Sequence, residues 1–423
     1  MRLLVLSRSA WRNDNSTGRT LSDIMSAFPE AEIYGLSMRE QVMQNSICKG
    51  NFIISEKQMI KHLLGKGQVG KRENIITNDT VSDEQSIYSN TKVKSNILLW
   101  FLRDWLWTIG AWRNKNLKNY IEEVNPDIIF SPIFPGCYPQ KLLLYIKKIS
   151  KAKVAVFHMD DNYTLKRYSW SPLFWIYRFW MRKWVKKSTN CADVVYVISE
   201  LQKREYEKSF GRDCKLLTKA ADFTIEPKIK TTYNKPLNLI YTGNIELNRW
   251  KSLSHIANVL EKVNANGTKA QLKIYSGNTL TEEMKSALNR GNSSFFMGSV
   301  SAGEVTKLQS EADMLVHVEA LDLRNKLTVR QSFSTKIVDY LAAAKPILAF
   351  GPKDVASIEH LVRNDCAIVA DCEEELYNKL CTAIDDKSKL EQLALKAFEC
   401  GKKFHNKSEI DSMLKEDFER LLK

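Results

Sequence analysis

The sequence predicts an α/β protein built from two doubly wound parallel-sheet domains of the Rossmann type. Short apolar runs alternate along the chain with longer amphipathic stretches, which is the pattern of strands and helices in wound parallel sheets. The 423 residues are enough for two cores of ordinary domain size. Between positions 221 and 236 the chain is rich in Lys, Thr and Pro and loses its hydrophobic periodicity, which indicates a linker between the domains.

Ten strands are predicted, in two series that the linker separates. The first series comprises 3–7, 128–131, 154–158 and 194–198, and the second comprises 239–241, 272–275, 294–297, 314–318, 346–350 and 367–369. The predicted domains are therefore 1–220 and 237–405, followed by a C-terminal helix within 406–423 that packs back on the first domain. Residues 55–94 are polar and poor in large hydrophobic side chains, so we expect a mobile loop there.

Composition limits the classes of partner and compartment. The chain has 63 Lys and Arg against 49 Asp and Glu, and the net charge of +14 favours polyanionic partners such as nucleic acid, anionic lipid or phosphorylated substrates.

Eight cysteines are scattered without a Cys-x-x-Cys spacing, so we expect reduced thiols and no zinc site. The apolar N-terminal run is too short for a signal peptide, and no apolar stretch reaches the roughly 18 to 20 residues of a spanning helix. A cytoplasmic protein is expected.

The most informative segment is 331–352, which follows a predicted strand and a loop. Ile337, Tyr340, Leu341 and Ala344 are spaced as i, i+3, i+4 and i+7, which predicts the buried stripe of a helix that begins near Ser334. Lys336 and Asp339 lie off that stripe.

The start of this helix has the chemistry of a phosphate site. Ser334, Thr335 and Lys336 combine free backbone N–H groups, hydroxyl groups and a cation, which suits a diphosphate. Asp339 lies one turn after Thr335 and can accept hydrogen bonds from a ribose. An ordinary capped helix with a surface Lys–Asp pair explains the same residues equally well.

The same segment resembles the C-terminal motif of the family 4 glycosyltransferases. Gln331, Phe333, Ser334 and Asp339 align with a Glu, a Phe, a Gly and a second Glu of that motif, and Ala344 stands where the family has Gly. The resemblance implies the GT-B architecture, in which the two Rossmann-like domains face a central cleft. It also implies that residue 331 contacts the donor sugar and residue 339 the ribose. Since Gln331 carries no charge, Glu319, directly after a predicted strand, is a candidate for the missing carboxylate, although an acid at a strand end is more often solvated.

A strand leading into Gly243 and a basic loop opens the second domain, as in the family. The family's first basic position is Asn244 here, which leaves Arg249 and Lys251 as available cations. Arg249 is the preferred diphosphate ligand because a guanidinium grips two phosphate oxygens at once. Arg249 and Lys336 together favour a metal-independent reaction with no cofactor besides the nucleotide-diphosphate sugar. Exposed loop cations are the alternative for either residue.

Three weaker matches complete the candidate site. Gly298 and Val300 resemble the loop that holds the nucleobase, and Gly18 resembles the glycine that approaches the donor. His158, at the end of a predicted strand, takes the place of a His near the donor sugar in family members. Each also has a plain structural explanation, as a turn glycine or a structural histidine.

The segment 166–187 combines cations and aromatic side chains without an acid. The cations are Lys166, Arg167, Arg178, Arg182, Lys183, Lys186 and Lys187. Aromatic rings prefer the headgroup level and cations attract anionic lipid, so this segment predicts peripheral attachment to an anionic membrane surface. The alternative is that many of its aromatic rings fill the core of the first domain and the cleft between the domains. The aromatic cluster 100–112 is expected to fill that core and that cleft. No recognised nucleic-acid module is present, and we expect no nucleic-acid partner.

The resemblance implies a glycosyltransferase that moves a sugar from a nucleotide-diphosphate donor to a glycan or lipid-linked acceptor of cell-surface polysaccharide synthesis, with retention of configuration. Two alternatives stay open. One is a degenerate accessory protein that binds nucleotide sugar or membrane without turnover, and the other is a GT-B sugar-nucleotide epimerase.

Overall fold

A computed structural model describes residues 1–12, 16–73 and 97–423. The strands are β1 (Arg2–Ser7), β2 (Glu32–Ser37), β3 (Cys48–Ile53), β4 (Lys71–Glu73), β5 (Ile128–Pro132), β6 (Lys153–His158), β7 (Val194–Val197), β8 (Lys215–Leu216), β9 (Leu237–Thr242), β10 (Ala270–Tyr275), β11 (Ser294–Gly298), β12 (Met314–Val318), β13 (Ile347–Phe350) and β14 (Ile368–Ala370).

The helices alternate with the strands. They are α1 (Ser16–Met25), α2 (Glu56–Leu63), α3 (Ile97–Ile109), α4 (Lys115–Val124), α5 (Tyr138–Ser150), α6 (Pro172–Cys191), α7 (Glu200–Phe210), α8 (Arg249–Val263), α9 (Glu282–Leu288), α10 (Ala302–Glu311), α11 (Leu323–Val329), α12 (Thr335–Ala342), α13 (Ala356–Arg363), α14 (Glu373–Asp385), α15 (Lys387–Phe404) and α16 (Lys407–Leu422). None of these helices is long and apolar enough to cross a bilayer.

Two sheets confirm the predicted fold class. The first has the order β4-β3-β2-β1-β5-β6-β7-β8, and the second has the order β11-β10-β9-β12-β13-β14. Every pairing is parallel except β3 with β4. In each sheet the strand order reverses beside the first strand of the series, β1 or β9. The carboxyl ends of the strands at such a reversal form the crevice where wound sheets bind ligands.

The structure contains the ten predicted strands, shifted by no more than two residues at either end, and four more: β2, β3, β4 and β8. The prediction of a loop over 55–94 is wrong for its first part, which forms α2 and β4. Ser55 caps α2 through a reciprocal pair of hydrogen bonds with Gln58, and Met59 is fully buried, so a single anchoring side chain replaces the missing apolar stripe. Residues 74–94 of that prediction lie outside the described residues.

Helix α16 contacts the first domain, although it follows the second in sequence. Phe418 stacks on Phe28 with ring centroids 4.6 Å apart. Asp417, which is buried, accepts a hydrogen bond of 2.9 Å from the hydroxyl of Tyr196 and pairs with Lys215. A buried carboxylate with two partners is costly to separate from them, so these contacts tie the end of the chain to the first sheet.

Candidate functional site

A cleft of about 1420 Å³ lies where the two domains face each other. Its walls come from α1, from the linker and from the loops after β9, β10 and β11 together with α12. The lining residues include Arg19, Asp23, Lys219, Lys228, Thr242, Gly243, Tyr275, Ser276, Gly277, Ser299, Val300, Gln309, Thr335, Lys336, Asp339 and Lys345. Five residues predicted from sequence are therefore together in one cavity: Gly243, Val300, Thr335, Lys336 and Asp339.

Lys336 lies at the first turn of α12, and its ammonium group sits directly over Gly243. A β-carbon at Gly243 would lie 1.7 Å from Lys336 Nζ, so a larger residue at this position would displace the ammonium group. The ammonium is 5.7 Å from the ring centroid of Tyr241. Burial lowers the pKa of Lys336 to about 8, with a smaller contribution from Arg249. Among the described residues, no carboxylate lies within ion-pair distance of Lys336, so its charge is available to a ligand.

Arg249 is held by a buried carboxylate. It begins α8, and its guanidinium binds both carboxylate oxygens of Glu319: Nε donates to Oε2 at 3.1 Å, and a terminal nitrogen donates to Oε2 at 3.0 Å and to Oε1 at 3.3 Å. Glu319 is almost completely buried, and burial raises its pKa, although Arg249 opposes the shift. Neither side chain lines the cleft. The positive charge of Arg249 is therefore compensated within the protein, and Lys251, the other candidate cation, packs on Trp250 at 5.4 Å.

Asp339 faces the cleft but is paired in this structure. Its Oδ1 accepts a hydrogen bond from Lys219 Nζ at 2.5 Å, which links α12 to the end of the first domain, just before the linker. Asp23, from α1, lines the same part of the cleft. Because both partners of the Lys219–Asp339 pair are partly exposed, the pair is weak enough for a ligand hydroxyl to displace it.

The loops after β10 and β11 form the far wall. Gly298 has φ of +84°, and its carbonyl accepts a hydrogen bond of 2.8 Å from the backbone N–H of Ser276. Val300 lines the cleft, whereas Gly298 supports the loop from behind.

Ser334, which directly precedes α12, also lies outside the lining of the cleft. Its backbone N–H donates to Ser357 Oγ at 3.0 Å, and its side chain makes no capping hydrogen bond.

Two residues assigned to the donor sugar from the resemblance do not reach the cleft. Gln331 is fully buried, donates from Nε2 to Glu205 at 2.5 Å and accepts from Gln202 at 3.3 Å. His158 is also fully buried, and its Nε2 lies 3.1 Å from Thr189 Oγ1. Its ring packs on the ring of Tyr206 at a centroid distance of 4.8 Å. Tertiary packing therefore places both side chains within protein contacts, and not against the cavity.

The placement of Gly18 also differs from the expectation. A β-carbon at Gly18 would lie 1.9 Å from the carbonyl oxygen of Arg12, so this glycine permits close contact between two segments of backbone. The cleft is lined instead by the residues that follow it, Arg19 and Thr20.

Several lining residues carry no sequence signal of their own. Arg19 and Asp23 lie on α1, Lys219 and Lys228 lie near or in the linker, and Ser276 with Gly277 follows β10. Their common signal is position: each lies after the carboxyl end of a strand or in the segment that joins the domains. The Ser276–Gly277 turn follows a predicted strand, so its position in sequence already indicates a place at the cleft. Lys219 and Lys228 have no such signal, because only the tertiary structure brings them to the cleft.

Within the described residues, one group has metal-ligand spacing: Asp371, Cys372 and Glu375. It lies at the start of α14, outside the cleft lining. Lys353 binds Glu375 at 2.9 Å and approaches Asp371 at 3.6 Å, so an ion-pair network accounts for these carboxylates.

Both domains match glycosyltransferase family models. Residues 75–217 match Glycosyltransferase Family 4, and residues 236–386 match Glycosyl transferases group 1. Together the two matches cover more than half of the chain. No curated protein matches the sequence.

Solved structures of low sequence identity share the fold. HepE from Anabaena, in complex with UDP, matches with a TM-score of 0.62 at 13% identity, over 99% of this chain and 100% of HepE. Sucrose-phosphate synthase from Thermosynechococcus elongatus matches with 0.62 at 10% identity, over 100% and 99% of the two chains. α,α-Trehalose-phosphate synthase (UDP-forming) from Burkholderia xenovorans, in complex with glucose-6-phosphate, matches with 0.60 at 10% identity, over 99% and 100%.

At these identities the structural matches establish the architecture, and the family models establish the class of enzyme. Two facing wound domains, a cavity between them and both family matches agree with the resemblance carried by segment 331–352. The chain belongs to the GT-B glycosyltransferases, as a family 4-like member.

Proposed function

We propose that this glycosyltransferase transfers a sugar from a nucleoside-diphosphate donor to a glycan or lipid-linked acceptor in the synthesis of a cell-surface polysaccharide. The observation that carries the proposal is the cationic floor of the cleft, where Lys336 lies over Gly243 at the start of α12. A half-buried ammonium beside the N-terminus of a helix attracts a diphosphate through charge and through free backbone N–H groups.

The other walls suit the remaining parts of a nucleotide. Asp339 supplies a carboxylate for a ribose hydroxyl once Lys219 is displaced, and the turn of Ser276 and Gly277 lines the cleft beside Val300, where a base can bind. HepE, which has this fold, was solved with UDP and with UDP-glucose. UDP and UDP-glucose are therefore the first ligands to test.

The mechanism that we propose depends on the negative charge that develops at the leaving group. Departure of a nucleoside diphosphate develops negative charge on its terminal phosphate, and a fixed cation at that point lowers the barrier. Lys336 is such a cation, and the reaction is proposed to need no metal ion. Arg249 contributes indirectly: its guanidinium lies close enough to lower the pKa of Lys336, while Glu319 compensates its charge. Retention of anomeric configuration is proposed on the family resemblance.

A second candidate is a nucleotide-sugar-binding protein without turnover, and one observation favours it. Gln331, which aligns with a carboxylate of the family motif, has no charge and is fully buried. Under this candidate the cleft binds the donor, and a partner enzyme carries out the transfer. An epimerase shares the same cleft and differs in needing no acceptor.

The decisive experiment combines binding and turnover. Thermal unfolding of the purified protein is measured with UDP, GDP, CDP, ADP and their sugars, since a ligand of the native state raises the midpoint. Selective stabilisation by one nucleotide, lost in Lys336→Ala and kept in the matched control Lys251→Ala, supports the donor cleft. Stabilisation that survives Lys336→Ala contradicts it.

Turnover then separates the candidates with the nucleotide that binds. Slow release of free nucleotide from the sugar donor, lost in Lys336→Ala, supports a transferase that uses water in place of its acceptor. A changed sugar on an intact donor indicates an epimerase. Binding without either product supports the accessory role.

We also propose peripheral attachment to the cytoplasmic face of an anionic membrane. In segment 166–187, Arg178 is buried in an ion pair with Asp161 and Lys166 binds Glu205, so these two cations serve the fold. The outer face of α6 keeps three exposed lysines and three exposed apolar side chains: Lys183, Lys186, Lys187, Leu173, Ile176 and Phe179. Co-sedimentation with phosphatidylcholine vesicles containing 30% phosphatidylglycerol, about threefold weaker for Lys183→Gln/Lys187→Gln, supports attachment. Equal sedimentation with neutral vesicles contradicts it.

A further inference from the structure

Three arginines gather at the carboxyl edge of the first sheet, outside the donor cleft. Arg8 directly follows β1, Arg39 lies two residues after β2, and Arg103 projects from α3. The guanidinium carbons of Arg8 and Arg103 lie 5.1 and 5.9 Å from the ring centroid of Trp100. None of the three arginines lines the donor cleft.

The cluster has more positive charge than the described carboxylates compensate. Arg103 pairs with Glu56 at 3.1 Å, and the same carboxylate accepts a hydrogen bond from the indole of Trp107. Over the described ranges, no carboxylate lies within ion-pair distance of Arg8 or Arg39. Burial lowers the pKa of Arg39, and the nearby charges of Arg8 and Arg103 lower it further.

Polar atoms are also left without partners here. The Nε of Arg8 and the hydroxyl of Tyr138 are buried and make no hydrogen bond. Tyr138 begins α5 and stacks on Trp107 at 4.7 Å, so its ring is fixed and its hydroxyl faces the same arginines that influence its pKa. A buried donor without a partner destabilises the folded protein, and neighbouring like charges add to that cost. An oxyanion between the arginines satisfies both.

The other face of α3 is apolar and exposed. Leu98, Leu102, Trp105 and Ile109 are spaced at i, i+4, i+7 and i+11, and each is about half exposed. Such a stripe forms one continuous ridge along a helix. Leu99, also exposed, lies between this ridge and Trp100. The sequence interpretation of 100–112 as core is thus correct for Trp107 and Trp112, which are buried, and wrong for Trp105.

We propose that Arg8, Arg39 and Arg103 bind the phosphate or diphosphate group of an amphiphilic acceptor whose apolar chain lies along the exposed ridge of α3. The inference rests on the proposed transfer to a lipid-linked acceptor and gives that acceptor a site. Arginine forks bind phosphate oxygens in pairs, and a ridge of Leu, Trp and Ile suits a hydrocarbon chain at a bilayer surface. The carboxyl edge that carries Arg8 and Arg39 also carries α1, which lines the donor cleft, so the proposed acceptor site and the donor cleft lie at the same edge of the first sheet.

The test uses farnesyl diphosphate as a short isoprenyl probe, with pyrophosphate as the head alone and farnesol as the chain alone. Isothermal titration of the full chain is carried out with UDP at saturation, so that the donor cleft is occupied. Farnesyl diphosphate is expected to bind at least tenfold more tightly than either fragment. Arg39→Gln and Arg8→Gln are each expected to weaken both farnesyl diphosphate and pyrophosphate about tenfold, and Arg39→Lys is expected to weaken them less.

Matched controls separate the two halves of the site. Arg113→Gln removes another arginine that packs on an indole, at 4.6 Å from Trp112, and is expected to change nothing. Leu102→Ser is expected to weaken farnesyl diphosphate about threefold or more and to leave pyrophosphate unchanged, whereas Leu395→Ser, at an exposed leucine of α15, has no effect.

Three results overturn the proposal: binding of farnesyl diphosphate that is unchanged in Arg8→Gln and Arg39→Gln, equal affinity for farnesyl diphosphate and pyrophosphate, or tighter binding of an eight-nucleotide RNA than of farnesyl diphosphate. The proposed function is tested by UDP stabilisation in the same preparations. Binding of farnesyl diphosphate without stabilisation by UDP supports the acceptor site and contradicts the proposed transferase function. Stabilisation by UDP without binding of farnesyl diphosphate overturns only the acceptor site.

Discussion

Gln331 and Glu205 join the two domains through one hydrogen bond: the Nε2 group of Gln331 donates to Glu205 Oε2 at 2.5 Å. Glu205 also accepts hydrogen bonds from both terminal nitrogens of Arg330, at 2.7 and 2.6 Å, and from Lys166 at 2.7 Å. Burial alone would raise the pKa of Glu205, but these donors lower it to about 2. The carboxylate is thus ionised, and an amide at position 331 is the group that complements it.

Replacing Gln331 by Glu restores the residue of the family motif but places two carboxyl groups in contact. One of them must take up a proton at neutral pH, which costs about 2–4 kcal/mol of unfolding free energy at pH 7. Since the raised pKa belongs to the folded state, the loss shrinks as the pH falls from 7 toward about 4. Urea unfolding of Gln331→Glu and wild type at pH 7 and pH 5 measures it.

The control for that prediction is the double variant Gln331→Glu/Glu205→Gln, which again pairs one amide with one carboxylate. Its loss of stability is expected to be smaller than the sum of the two single losses. A Gln331→Glu variant as stable as wild type at pH 7 contradicts the contact between these side chains.

Arg249 and Glu319 form a largely buried charge pair, and removing only the cation is predicted to be costly. Arg249→Met leaves the Glu319 carboxyl group buried without its cation, which costs about 3–5 kcal/mol. Arg249→Met/Glu319→Gln removes both charges and is expected to recover more than half of that loss. Urea unfolding of both variants measures the difference, and a single variant that loses under 1 kcal/mol contradicts the pairing.

The same pair affects how donor binding is interpreted. If Arg249→Met and the double variant lose UDP affinity equally, the guanidinium itself serves the diphosphate. If only the single variant loses affinity, the loss follows from the disturbed Glu319.

Lys336 is predicted to make nucleotide binding depend on pH. Its pKa is lowered to about 8, chiefly by burial, so the ammonium loses its proton between pH 7 and 9 in the free protein. A bound diphosphate favours the protonated form. The affinity for UDP is therefore expected to fall about tenfold from pH 7 to pH 9. Lys336→Arg stays charged over this range and is expected to show a flat profile by isothermal titration. Parallel profiles for wild type and Lys336→Arg would rule out this role.

The sequence predicted four strands of the first sheet and all six of the second because each contains a short, mainly apolar run. β2, β3 and β4 were missed because they lie toward the edge of the first sheet, where β3 contains Lys49, Gly50 and Asn51. Pairing with the neighbouring strand, β2 with β1, β3 with β2 and β4 with β3, stabilises such segments, and no local pattern reveals it.

The same distinction between local and distant signals applies to the candidate site. Lys336, Thr335 and Asp339 were found because one helix start fixes all three. The positions of Gln331, Arg249 and His158 are set by partners 126, 70 and 31 residues away in sequence, so the motif alone could not place them.

Three buried histidines are predicted to control acid stability, and one of them tests the family role directly. Burial lowers the pKa of His158, His317 and His405 to about 3 each. The unfolded chain binds protons at these sites below about pH 6.5 while the folded chain does not, so stability is lost as the pH falls from 6.5 toward 3. Each histidine is expected to cost about 2 kcal/mol at pH 5 relative to pH 7.

His158→Leu removes one of these contributions together with the contact to Thr189 Oγ1. The variant is expected to lose about 1 kcal/mol at pH 7, to depend less on pH between 7 and 5, and to keep donor turnover within about threefold, because the ring does not reach the cleft. Urea unfolding at both pH values and nucleotide release at pH 7 measure these effects. A loss of turnover beyond about a hundredfold in a folded His158→Leu protein would show that the cleft rearranges during the reaction to bring this ring to the donor.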